Sequence, residues 1–165
     1  MPLVEPSSAL VAWVGEDTLG IYPGVDYLPD GRSDSGQVSL REVLFSTEHQ
    51  VRDQVPVPGV MLPQRQATTA RLHALREAGA QVVLSVGPLT PQRATQPVAG
   101  LVIMQVTPRA AARLLRMEVP RLIRRLNEPE ASLHVLPRPI SVGVDTRVVP
   151  WGEGVNTMGY VAGKH

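Results

Sequence analysis

Residues 98–127 constrain the fold more than any other part of the chain. Positions 98–106, VAGLVIMQV, are almost continuously apolar, which suits a central strand covered on both faces. Thr107 follows at once and can accept from the first free backbone N–H groups of a helix, with Pro108 at the first helical position. The rest of that stretch, RAAARLLRMEVPRLIRRLN, is rich in helix formers. Pro120 lies inside it and predicts a kink or two abutting helices. Asn127 and Pro129 supply the stop.

This helical stretch has two chemical faces. Ala111, Leu115, Val119, Leu122 and Leu126 recur at three- and four-residue steps and form an apolar stripe. Arg109, Arg113, Arg116 and Arg124 fall on another face, joined by Arg121 and Arg125, and only Glu118 opposes them. Such a face is either the solvated side of a packed helix or a docking surface for something acidic, a partner subunit or a nucleic-acid backbone.

Composition narrows the choice. The net charge of +1 argues against wholesale nucleic-acid binding, but the charge is unevenly spread. Positions 16–53 hold eight acids and three arginines; positions 64–126 hold ten arginines and two acids. A chain divided in this way can close on itself or stack head to tail with its copies. Aromatics are 4% of the residues, which disfavours single-strand nucleic-acid binding by base stacking. With no Cys, a disulfide framework and thiolate chemistry are excluded. No apolar run is long enough to cross a membrane and no basic leader opens the sequence, so a cytoplasmic protein is expected, or a virion component if the source is viral.

The length of 165 residues suits one domain. Residues 9–14 read as a buried strand, and residues 19–22 as a strand returning from a turn to make a hairpin. Residues 23–37 form a long loop by composition. Ser39 predicts a cap on a single turn through Arg41, Glu42 and Val43. Residues 55–62, with two prolines, predict an edge strand or arm. Thr68 caps a helix with Leu72 and Leu75 inward and Gly79 at its end. Residues 81–86 predict a further strand, and residues 133–136 and 140–149 return to extended structure. Ile140, Val142 and Val144 share one face of the last segment.

The expected class is therefore α/β (or α+β): a two-layer sandwich with a mixed sheet, two helices on one face and an extended C-terminal arm. Residues 1–150 make the domain and residues 151–165 the arm. That arm has no periodicity of its own, yet it carries Trp151, Met158 and Tyr160, the kind of residues that anchor interfaces.

Catalytic signals are sparse. His49, His73, His134 and His165 lack metal-ligand spacing, and Asp26, Asp30 and Asp34 miss the ligand order of a calcium loop, so they read as solvated loop residues. Gly152, Glu153 and Gly154 open like a phosphate loop but precede no helical pattern. Pro58 and Gly59, followed by ATTARLHALREAGAQVV, resemble the box of the Nudix hydrolases, a loop–helix–loop that holds magnesium on glutamates. Glu77 and Gly79 match that box's second glutamate and closing glycine, but Leu72, His73 and Arg76 stand at its other charged positions, which removes the cation-binding charge.

The main expectation is a non-enzymatic assembly subunit, such as a virion or tail component. It would self-associate, or dock on an acidic partner, through Arg109, Arg113, Arg116, Arg121, Arg124, Arg125 and the C-terminal arm, without a cofactor. The alternative is a small hydrolase or nucleotide-binding enzyme, with Glu77 and the 23–37 loop beside a pocket. A weaker alternative is a nucleic-acid or acidic-partner adaptor.

Overall fold

The structure, a computed structural model, describes residues 7–14, 21–45, 55 and 57–149, with side chains for 21–45, 55 and 57–145. In chain order the strands are β1 (Ser7–Val14), β2 (Tyr27–Pro29), β3 (Gly36–Phe45), β4 (Gly59–Pro63), β5 (Val82–Val86), β6 (Val102–Val106) and β7 (Ser132–Val149). The helices are α1 (Thr69–Glu77), α2 (Pro108–Leu115) and α3 (Val119–Leu126), and a short 3₁₀ turn, Gln64–Gln66, follows β4. All seven strands join one mixed sheet in the order β1-β7-β3-β4-β5-β6-β2. Its middle, from β3 to β6, is parallel; β7 and β2 run antiparallel to their neighbours β3 and β6. The sheet curls until its two outermost strands approach each other.

The apolar runs explain the middle of the sheet. Every residue of β4, β5 and β6 is buried, as expected for parallel strands covered on both faces. Alternate side chains serve separate cores. Met61, Val82, Leu84, Val102 and Met104 pack with α2 and α3, through Ala111, Leu115, Leu122 and Leu126. Val60, Leu62, Val83 and Ile103 pack with α1, through Leu72 and Leu75. The mixed α/β class therefore holds, but the helix placement expected from sequence is corrected: α1 covers one face, while α2 and α3 cover the other.

Three local expectations also change. Residues 39–45 belong to β3 rather than a helical turn. Pairing passes from Leu40↔Ile140 to Glu42↔Val135, so Arg41 is bulged out opposite the proline-containing stretch of β7. The bulge shifts the strand by one residue and turns Leu40, Val43 and Phe45 into the same core. The turn and first part of the hairpin expected after β1, residues 15–20, fall outside the described residues, while Ile21 and Tyr22 lie outside any strand; β1 pairs with β7, over Ser7↔Val149 to Val14↔Val142. Finally, β4 is interior rather than an edge. Pro58 stands just ahead of its first residue, where its carbonyl accepts from the N–H groups of Gln81 and Val82, and Pro63 is its last. Neither proline interrupts the middle of the ladder.

The helix boundaries follow the sequence closely. Thr68 Oγ1 accepts from the N–H of Arg71 and Thr107 Oγ1 from that of Ala110. The 107–127 pattern divides as Pro120 requires: its ring would clash with the carbonyl four residues earlier, so α2 ends at Leu115 and α3 restarts with Pro120 in its first turn.

Candidate docking surface

Residues 23–37, expected as one long loop, instead hold β2 and the first residues of β3, and the connections around them are built on three aspartates. Asp26 Oδ2 accepts from the N–H of Tyr22 at 2.9 Å. Asp30 accepts from the Arg32 backbone N–H and Nε through Oδ1, and from Nη2 through Oδ2, each at 2.9 Å. Asp34 accepts from the N–H groups of Ser35 and Gly100. Asp26 and Asp30 are buried, which corrects their reading as solvated residues. Each carboxylate serves its own stretch of chain, and among the described residues no group of three or more histidines and acids could hold a metal ion. The pairing with Asp30 holds the Arg32 guanidinium even more firmly protonated than usual, chiefly through the hydrogen bond. Three of the acids behind the expected negative half thus accept hydrogen bonds within the chain, Asp34 from as far away as Gly100.

The arginines divide differently. Arg125 is half-buried, its guanidinium carbon lies 4.8 Å from the Phe45 ring centre, and Nη2 donates to Ser132 Oγ at 3.1 Å. Phe45 in turn meets His134 edge-on, with ring centres 6.1 Å apart, and His134 Nε2 lies 3.3 Å from the Leu115 carbonyl. Arg125 therefore packs within the chain, unlike the other arginines of the expected docking set. Arg109, Arg113, Arg116, Arg121 and Arg124 are exposed. Among the described residues, Arg109, Arg116, Arg121 and Arg124 make no ion pair. Arg109, Arg113 and Arg116 follow one another at helical steps along α2, as Arg121 and Arg124 do along α3.

Between the two helices lies an open cleft of about 640 Å³. Arg109, Arg113 and Arg116 line it together with Ala112, Met117, Glu118, Val119 and Pro120. The apolar members were missed from sequence. Val119 falls on the inward stripe by spacing, but it is the first residue of α3 and stays 37% exposed. The break before Pro120 turns it into the cleft. Ile123, one turn on, is also exposed.

Arg116 closes α2 in the left-handed conformation, with φ 51°. Its neighbour Met117 donates to the Ala112 carbonyl at 3.0 Å, the same closing bond that Ala80 makes to Leu75 beyond α1. In α1 the special position belongs to Gly79. An arginine there is strained by about 1–2 kcal/mol, while glycine would add back about 0.4–1 kcal/mol of unfolded-chain entropy. Arg116→Gly is therefore expected to raise unfolding free energy by about 0.5–1 kcal/mol in urea titration. An unchanged or lower midpoint would show that the Arg116 side chain makes compensating contacts.

Trp151, Met158 and Tyr160, the rest of the C-terminal arm, and the Gly152–Gly154 segment fall outside the described residues. Among the described residues no helix is long and apolar enough to cross a membrane.

No family model and no curated protein matches the chain. Among solved structures, the aminopeptidase from Aneurinibacillus sp. strain AM-1 is similar over 88% of this chain, at 12% identity and a TM-score of 0.40. The chain covers 35% of that protein's length.

Proposed function

We propose that this chain is a non-catalytic docking subunit that engages an acidic protein partner through α2 and α3. One observation carries the reading: Arg109, Arg116, Arg121 and Arg124 stand exposed on α2 and α3 with no ion pair among the described residues, and Arg109 and Arg116 line a cleft that also has apolar walls. Exposed charge of one sign steers and orients an oppositely charged surface. Poly-L-glutamate is the probe for this reading. Fluorescence anisotropy should show binding that weakens steeply with salt. Arg121→Ala with Arg124→Ala should weaken it about five- to tenfold, at up to ~1 kcal/mol per exposed pair. Binding indifferent to both salt and these substitutions would remove the proposal. Tighter binding to single-stranded RNA than to poly-L-glutamate would move the surface to the nucleic-acid class.

A small hydrolase or nucleotide-binding enzyme is the second reading. What favours it is that Ser85 Oγ and Gln66 Oε1 are buried near the carboxyl ends of β5 and β4 without a hydrogen-bond partner among the described residues. Open α/β sheets commonly bind small ligands at the carboxyl ends of their parallel strands. Glu77, the glutamate of the Nudix-like segment, is exposed in the last turn of α1. The 23–37 loop reaches the opposite end of that helix, where Arg32 Nη1 donates to Thr69 Oγ1. A thermal-shift screen of nucleotides with magnesium or manganese tests this reading. A rise of several degrees with one of them supports it, and a flat screen ends it.

A further inference from the structure

The cleft at the elbow between α2 and α3 combines two chemistries that a purely electrostatic surface would not need together. Its walls carry Arg109, Arg113 and Arg116, while Ala112, Met117, Val119 and Pro120 contribute apolar surface. Glu118 is the one carboxylate among the lining residues. A salt-dependent patch for any polyanion would gain nothing from exposing Val119 to water or from leaving Met117 only partly buried. A site for an apolar side chain alone would gain nothing from three guanidinium groups.

We propose that this cleft receives an acidic peptide segment of a partner protein, seating one aliphatic or aromatic side chain against Met117, Val119 and Pro120 while flanking carboxylates meet Arg109 and Arg116. The inference rests on the docking reading above and specifies what that surface recognises. Charge complementarity selects the acidic occupant, since the cleft rim is cationic on the α2 side and a basic segment would be repelled. The apolar surface selects the anchor: one large apolar side chain buried in a pocket typically dominates such contacts. The cleft is also of a size that holds a side chain with its neighbouring backbone rather than a whole domain. Arginine suits the rim because its planar guanidinium can take a carboxylate through two parallel hydrogen bonds.

The left-handed Arg116 is part of the same arrangement. A glycine would close α2 with less strain, as Gly79 does beyond α1. The arginine instead adds a cationic side chain to the cleft at the turn between the helices. The strain is consistent with a position kept for binding rather than for stability.

The test uses the full chain, immobilised, and a phage-displayed library of random dodecapeptides. Selected sequences should carry Asp or Glu on both sides of a single Leu, Met or Phe. A synthetic peptide of that pattern is then measured by anisotropy. Replacing its apolar residue by Ser should weaken binding about tenfold or more. Val119→Asp, a change at a partly exposed helix start, should weaken the same peptide about tenfold, yet alter binding of poly-L-glutamate by less than about threefold. Arg109→Glu with Arg116→Glu should weaken both ligands. Circular dichroism melts confirm that each variant folds, and Arg116→Gly, expected to be at least as stable as the parent, removes the side chain without a folding penalty. Acidic peptides selected without any apolar anchor would overturn this inference and leave the docking surface standing. Apolar peptides without acids, or no selected sequence at all, would overturn it as well. Absence of poly-L-glutamate binding by the unsubstituted chain would take the docking reading with it.

Discussion

Phe45→Ala is expected to lower the unfolding free energy by about 3–5 kcal/mol, the range for removing a fully buried aromatic ring. Phe45 is 1% exposed at the end of β3, and it joins three elements. Its ring lies under the Arg125 guanidinium of α3 and against the His134 edge of β7. Deleting it opens a cavity beneath the helix pair and leaves Arg125, whose Nε already has no partner among the described residues, over an empty space. Urea titration followed by circular dichroism measures the loss. Phe45→Leu separates volume from ring chemistry: most of the burial returns, and the remaining deficit should be about 1–2 kcal/mol. A double-mutant cycle with Arg125→Met should return a coupling of about 0.5–1 kcal/mol. If Phe45→Ala costs less than about 1 kcal/mol, the description of this junction is wrong.

Asp30→Ala should cost about 1.5–3 kcal/mol, the second largest single effect. Asp30 is 2% exposed and receives three hydrogen bonds from Arg32. Its removal leaves the Arg32 guanidinium without its counter-charge. The side chain of Arg32 is 25% exposed, so it can recover some hydration, which keeps the cost below that of a fully buried pair. The loop should also lose order, because Asp30 sits where its own N–H reaches the Ile103 carbonyl on β6. Its effect on pH dependence has a definite sign. A group whose pKa is raised on folding contributes stability that is complete below its unfolded pKa and lost only as pH rises through the folded one. For Arg32 that window lies at strongly alkaline pH. The Arg32 contribution should therefore add no slope to stability between about pH 6 and pH 9. A steep dependence in that interval that disappears in Asp30→Asn would contradict this account.

The two substitutions act on different halves of the molecule, and the contrast explains what could be read in advance. Thr68 and Thr107 cap their helices in the structure as their positions in the sequence imply, because an N-cap depends on residues within one turn. The apolar runs of β5 and β6 are legible for a similar reason, since burial on both faces removes the need for alternation. In β3 the reading fails. A bulge at Arg41 depends on the partner strand, and nothing near Leu40 in sequence announces the prolines of β7. The prolines at 56 and 58 mislead in the opposite way: both precede β4 in sequence, so neither removes a donor from its ladder.

The same division runs through the candidate site. The arginine-rich face of 107–127 is visible in one dimension because its spacing is helical, and Pro120 announces the break. Which arginines stay outside is not visible. Arg124 and Arg125 are adjacent and chemically identical, yet one is exposed and the other lies over Phe45, eighty positions earlier in the chain. Nor does spacing identify the cleft, whose apolar lining appears only when α3 swings away from the line of α2. Local propensity and periodicity, short-range effects carried by neighbouring residues, set the helices, caps and central strands. The faces they cover, the pairing of β1 with β7 and the sorting of arginines into packed and exposed were decided by contacts between distant segments, because burial and pairing are properties of the assembled chain.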